Sequence, residues 1–168
     1  AAQITASGSI AARRDAAVGV NGEGGRVTDV LVDAGQSVAK GQVLARIDTS
    51  VQAQQVASMA ASIRSAQADA ALAQSNLDRA GKLVSKGFIS KADIDTKTAT
   101  RDGMNARVGV ARAQLGEMQA RMARLSVRAP AAGLVLSRNV ETGQIVGAGS
   151  ASLFRIAEGG VLEMRALV

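Results

Sequence analysis

Apolar residues change their period twice along this chain. Over residues 16–49 they alternate with polar ones: Val27, Val30 and Val32 lead into Asp33-Ala34-Gly35-Gln36, and Val38 and Gly41-Gln42 precede Val43-Leu44-Ala45-Arg46-Ile47. A period of two broken by glycine-containing tetrads predicts short strands joined by turns. Beyond Val51 the period lengthens. Val56, Met59, Ile63, Ala66, Ala70, Ala73, Leu77, Ala80 and Val84 follow one another in steps of three and four. That is a heptad seam and predicts one long helix. Met104, Val108, Ala111, Leu115, Met118, Met122 and Leu125 predict a second. Extending this phase backwards reaches Arg101, Lys97 and Ile94, so the seam falters near the reversal. Residues 126–158 return to a period of two, with Glu141-Thr142-Gly143-Gln144 as a turn.

The two alternating segments are copies of one another. Gly25, Val27, Val32, Gly35, Gln36, Val38 and Gly41 match Gly133, Val135, Val140, Gly143, Gln144, Val146 and Gly149 at an offset of 108. Leu44, Arg46 and Ile47 match Leu153, Arg155 and Ile156 at 109, so one residue is inserted before the last strand. Such a repeat implies one small β-domain cut in two, with a long excursion leaving between its halves. Gly35 and Gly143 are expected at positive φ, as turn chemistry requires.

The excursion reverses at Ser85-Lys86-Gly87. Ser90 then reads as a helix N-cap, and Asp93 as its partner in a capping box, where glutamate or glutamine is more usual. Two helices of about 34 residues, rising 1.5 Å per residue, make an antiparallel rod roughly 50 Å long. Seam alanines favour a close approach of the two helices. Gly103, Gly109 and Gly116 cost the second helix up to about 1 kcal/mol each relative to alanine. They are either tolerated losses in a long rod or, for Gly109 and Gly116, room for a neighbouring rod.

Composition removes several function classes. Only Phe88 and Phe154 are aromatic, and much of the apolar content is alanine. Cysteine and histidine are absent, which removes disulfides, thiolate sites, the commonest metal ligand and the usual general base. Met104, Met118 and Met122 fall in the seam and read as core packing rather than as a metal site. No apolar run approaches the roughly 20 residues that span a bilayer, and the N-terminus carries no signal-peptide core. The expectation is therefore a soluble chain, or one whose targeting and anchoring segment has been removed. The +6 net charge sits in residues 51–128, with twelve basic and six acidic side chains against eight of each elsewhere. These charges are scattered and lack aromatics for base stacking, so no nucleic-acid partner is expected. Gly22-Glu23-Gly24-Gly25 precedes a strand rather than opening a helix, so it does not read as a phosphate loop.

The duplicated β pattern resembles the biotinyl/lipoyl domain, a flattened sandwich of two symmetric halves. In carriers of that family the modified lysine lies on the hairpin joining the halves. Here the excursion replaces that hairpin, and none of Lys40, Lys82, Lys86, Lys91 and Lys97 has the carrier context. The reversal, Arg79-Ala-Gly-Lys-Leu83-Val-Ser-Lys-Gly-Phe-Ile-Ser90, resembles the hairpin tip of periplasmic membrane fusion proteins, the adaptor subunits of tripartite efflux pumps. Their Arg-x3-Leu-x6-Ser pattern falls on Arg79, Leu83 and Ser90.

The resemblance implies an α+β fold: a split lipoyl-like β-sandwich (barrel-sandwich hybrid) with an inserted antiparallel coiled-coil hairpin, plus strand stubs of a truncated β-barrel domain. The expected boundaries are a barrel stub over 1–15, a first lipoyl half over 16–49 and a hairpin over 50–125 with its tip at 84–91. A second lipoyl half over 126–158 and a second stub over 159–168 complete the chain. Ile4 to Ala12 and Val161 to Val168 read as strands without partners in this chain. The resemblance further implies a non-enzymatic adaptor without catalytic residues, cofactor or metal. It would lie in the periplasm, anchored to the inner membrane in the full-length protein, and six copies would form a sealed conduit. Its partners would be a TolC-like outer-membrane channel, met by Arg79, Leu83 and Ser90, and an inner-membrane transporter. Hairpin length favours a proton-driven transporter of the resistance-nodulation-division type over an ATP-driven (ABC) efflux or type I secretion transporter. A lipoyl or biotinyl carrier and a structural spacer are the readings from other classes.

Overall fold

The computed structural model describes residues 7–167, which form two compact units. Among the described residues, one is a β body formed by 7–49 together with 121–167, and the other is a helical hairpin over 50–120.

The described residues of the body carry ten strands. They are β1 (Ser7–Ala12), β2 (Asp15–Val18), β3 (Gly25–Val30), β4 (Ser37–Val38), β5 (Val43–Ile47), β6 (Ser126–Arg128), β7 (Gly133–Arg138), β8 (Ile145–Val146), β9 (Phe154–Glu158) and β10 (Leu162–Leu167). Two four-stranded antiparallel sheets run in the orders β2-β9-β7-β4 and β6-β5-β3-β8. Each sheet thus draws two strands from each sequence half: β2 and β4 join β9 and β7, and β6 and β8 join β5 and β3. The exchange is symmetric down to single hydrogen bonds. Gly35 N–H donates to the Val135 carbonyl and Val135 N–H to the Gln36 carbonyl, at 2.8 and 2.9 Å. Gly143 N–H donates to the Val27 carbonyl and Val27 N–H to the Gln144 carbonyl, both at 2.8 Å. β-Bulges fall at equivalent places, between Val27 and Asp29 and between Val135 and Ser137.

Five matched apolar pairs of the repeat, Val27/Val135, Val32/Val140, Val38/Val146, Leu44/Leu153 and Ile47/Ile156, are all buried in one core with Phe154. The matched glutamines close the turns. Gln36 Oε1 accepts from Asp33 N–H and Gln144 Oε1 from Glu141 N–H, each at 3.0 Å. Gly35 and Gly143 both adopt φ 89°, as their turns demand. Arg138 ties the halves together, reaching Asp33 at 3.0 Å, Glu141 at 3.0 Å and the Val140 carbonyl at 2.8 Å.

The terminal strands differ from the sequence expectation. Instead of lacking partners, β1 and β10 pair with each other, from Ser7↔Leu167 to Ala12↔Leu162. The reason lies in the body, where β2 and β9 are neighbours and bring both chain ends to one edge. Hydrogen bonds from Glu158 N–H to the Arg14 carbonyl and from Arg13 N–H to the Val161 carbonyl carry the pairing outward. Ile4 to Ala6 and Val168, also read as strand, lie outside the described residues.

The hairpin consists of α1 (Ser50–Val84) and α2 (Lys91–Ala123). At 1.5 Å per residue, α1 is about 50 Å long. Every α1 seam position from Val56 to Val84 is buried or half-buried. In α2 the seam is Ile94, Thr98, Arg101, Met104, Val108, Ala111, Leu115, Met118 and Met122. Two positions depart from the sequence reading. Thr98 replaces Lys97, because its hydroxyl can donate to the Ile94 carbonyl at 2.9 Å whereas an ammonium there would be desolvated. Leu125 lies past the end of α2 and joins the β core. Arg101 sits in the seam and crosses it, donating to Gln74 Oε1 at 3.0 Å while pairing with Asp102 at 2.7 Å. Val108 shares a groove with Ala70 and Gln74, and Ile94 shares one with Leu77 and Gly81, as antiparallel helices require.

Candidate docking site at the hairpin tip

The tip is a short turn held by a cap on each side. α1 ends in a Schellman motif: Phe88 N–H donates to the Leu83 carbonyl at 3.0 Å, and Gly87 N–H to the Val84 carbonyl at 3.0 Å. Gly87 takes φ 78°, the left-handed geometry this motif needs at its pivot. Ser85 Oγ donates to the Lys82 carbonyl at 2.9 Å, satisfying another end-of-helix acceptor. α2 begins with a closed capping box. Asp93 N–H donates to Ser90 Oγ at 3.2 Å, and Ser90 N–H to Asp93 Oδ2 at 3.3 Å. The Ser90 hydroxyl itself donates to Asp93 Oδ2 at 2.8 Å. The shorter aspartate thus completes the box that a glutamate more often closes. Only Ile89 separates the two capping motifs.

Arg79 and Leu83 lie one turn apart on α1 and share a face. Both are exposed, Leu83 by 43%. The Arg79 guanidinium donates to Asn76 Oδ1, which fixes its heading along the helix. A guanidinium carries five donors, so this contact leaves its fork able to meet a further acceptor. Ser90 stands across the turn, and no hydrogen bond among the described residues links it to Arg79 or Leu83. Its hydroxyl proton is committed to Asp93, so toward any partner Ser90 offers an acceptor lone pair rather than a donor.

Lys82, Lys86 and Lys91 are exposed around the turn. Over residues 79–95 four basic side chains face two acidic ones, and Asp93 is engaged in the cap. Phe88 is 72% exposed, against 0% for the body's Phe154. The sequence reading gave Phe88 no role. The available signal was that it is the lone aromatic in an alanine-rich excursion.

In the body, β5 and β6 are antiparallel neighbours with Arg46 opposite Ser126. The hairpin therefore leaves from the place where a tight turn would otherwise join them. Among the described residues, no three His, Cys, Asp or Glu side chains are grouped to hold a metal ion. No helix there is long and apolar enough to cross a membrane.

Comparison with known proteins gives the geometry its family. A family model described as a CzcB-like barrel-sandwich hybrid domain matches residues 16–158. The nickel-cobalt-cadmium resistance protein NccB of Alcaligenes xylosoxydans xylosoxydans is 30% identical over 146 residues, 86% of this chain and 36% of that protein. YdhJ of Escherichia coli K12, an uncharacterised protein, is 30% identical over 125 residues, 74% of this chain and 44% of its own length. The chain thus spans less than half the length of these curated relatives. Among solved structures, MacA from Actinobacillus actinomycetemcomitans shares the fold with a TM-score of 0.73 at 24% identity, over 96% of this chain and 54% of that one. ZneB from Cupriavidus metallidurans matches with a TM-score of 0.63 at 25% identity, over 95% and 67% of the respective chains. With its family model covering body and hairpin alike, this chain belongs to the CzcB-like membrane fusion protein family.

Proposed function

We propose that this chain is the lipoyl-like and hairpin portion of a periplasmic adaptor in a tripartite efflux pump, and that its tip docks onto a TolC-like outer-membrane channel. The observation that carries this reading is the tip itself. Arg79 and Leu83 stand exposed on one face of α1, beside a turn locked by two capping motifs. A site whose backbone is already ordered loses little further entropy on binding. Arg79 would fork onto carbonyls or carboxylates at the channel's periplasmic helix ends, and Leu83 would fill an apolar notch beside them. Ser90 would accept one hydrogen bond while keeping its place in the cap.

The remaining assignments rest on the same family reading. The working assembly is six copies, anchored at the inner membrane by segments of the full-length protein. The paired β1 and β10 are the start of a β-barrel domain completed by those segments. Hairpin length supports a transporter of the resistance-nodulation-division type, with an ABC-type efflux or type I secretion transporter as the alternative. Nickel, cobalt and cadmium ions, against which NccB is named as a resistance protein, are the first cargo to test.

Site-specific cross-linking tests the docking. Lys86→Cys is placed in the full-length protein and expressed with candidate outer-membrane channels. Attachment to one channel, lost with Arg79→Asp and Leu83→Ser in a still-helical protein, is the expected result. If no channel is captured and efflux is indifferent to those changes, the hairpin is only a spacer. A carrier role predicts instead a lysine bearing lipoate or biotin, visible as a defined increment in intact mass.

A further inference from the structure

We propose that Phe88 is the apolar anchor of the tip, entering a slot between the periplasmic helix ends of the outer-membrane channel and selecting channels by the size of that slot. This rests on the docking reading above and adds a residue outside the Arg79, Leu83, Ser90 pattern.

The two phenylalanines of the chain have opposite fates. Phe154 is fully buried in the β core, whereas Phe88 leaves 72% of its surface in solvent. The hairpin's own apolar needs are met elsewhere. Val84 and Ile94 close the seam, and Ile89 is half-buried at the turn. A Schellman motif commonly sets the residue in the Phe88 position against the one in the Leu83 position. Here both remain exposed, so most of the aromatic surface is unused by the fold.

Phe88 is also held firmly. Its N–H is bonded to the Leu83 carbonyl, Gly87 sets the chain direction, and the α2 capping box begins two residues later. A large apolar side chain on a fixed backbone, with only two side-chain torsions to restrain, is what binding hot spots use.

Charge identifies the occupant. Lys82, Lys86 and Lys91 surround the ring in sequence and are exposed, so a second copy of the same tip would be repelled. An anionic bilayer would suit the lysines, but a single ring is a shallow hold. It would also give no use to the directional fork of Arg79. A protein slot lined by apolar side chains and rimmed by carboxylates or carbonyls satisfies the ring, the lysines and the fork together.

The test uses the full-length protein carrying the Lys86→Cys reporter, expressed with the channel it captures, in Phe88→Ser, Phe88→Leu and Phe88→Tyr versions. Phe88→Ser is expected to lower cross-linking about tenfold or more, and Phe88→Tyr to stay within about twofold. Phe88→Leu should fall between them and shift the preference toward channels with smaller apolar notches. Purified variants should keep the parent melting temperature, because the ring is not part of the core. Unchanged cross-linking in Phe88→Ser overturns the proposal, as does a melting temperature that falls in step with cross-linking. So does capture of only a second copy, or binding of the purified parent to phosphatidylglycerol vesicles that Phe88→Ser abolishes. If the parent reporter captures no channel at all, it is the docking reading that fails.

Discussion

At the scale of single residues, glycines with the same place in the repeat do different work. A Cβ on Gly133 would lie 2.0 Å from the Ala157 carbonyl oxygen, in the neighbouring strand β9. Backbone would have to move, so Gly133→Ala is expected to destabilise the body by about 2 kcal/mol or more, measured by urea unfolding. Gly149→Ala is the control. Its Cβ meets nothing, its φ is not positive, and the change should stay within about 0.5 kcal/mol. Its partner in the repeat, Gly41, does sit at φ 81°. The turns themselves correspond. Ala39 N–H donates to Gln42 Oε1 at 2.9 Å, and Gly147 N–H donates to Ser150 Oγ at 2.9 Å. The inserted residue follows Gly149, so that loop reaches β9 without the left-handed step. The sequence marked all these glycines alike, since a one-letter match does not reveal φ or the distance to another strand.

At the scale of elements, the hairpin shows which local signals suffice. The Ser90/Asp93 box was legible because capping involves residues three apart, and both of its reciprocal bonds form. Ser90→Ala should cost about 1 kcal/mol of hairpin stability, detectable as a lower helix melting temperature by circular dichroism. The heptad seam was equally legible in α1, where it runs unbroken. In α2 one position near the turn was misphased, Lys97 for Thr98, because Thr98 satisfies its hydroxyl on its own helix at the Ile94 carbonyl. The neighbouring seam residue Arg101 crosses by a hydrogen bond to Gln74 rather than by hydrophobicity. Gly109 and Gly116 have open space where a Cβ would stand. Replacing both with alanine should therefore stabilise the hairpin, by up to about 1 kcal/mol each. If the double variant is more stable yet assembles less efficiently in a cross-linked adaptor ring, those glycines admit a neighbouring rod.

At the scale of the whole molecule, the body is a domain whose two halves meet only after a long detour. β5 and β6 are adjacent strands, and Ile47 N–H donates to the Leu125 carbonyl at 2.9 Å. Replacing residues 48–124 by an Asn-Gly turn should therefore leave a β body that unfolds cooperatively, checked by dispersed amide resonances and a single urea transition. Failure of that variant to fold would mean that the hairpin contributes to the body's stability beyond closing the chain.

By itself the sequence determined the elements and their kinship. The repeat at an offset of 108 specified two like halves, and its five apolar pairs all lie in the core. The shift from a period of two to a heptad marked the hairpin. These are local or self-referential patterns, which a chain carries without knowing its partners. The family resemblance, drawn from the split halves and the tip together, agrees with the match over residues 16–158. Tertiary structure alone decided how the halves interlock, with each sheet drawing two strands from each half, and that the end strands pair with each other. It alone set Phe88 in solvent and Phe154 in the core, although the two letters are the same. Those outcomes depend on which segments become neighbours after the chain closes, and neither periodicity nor composition encodes that proximity.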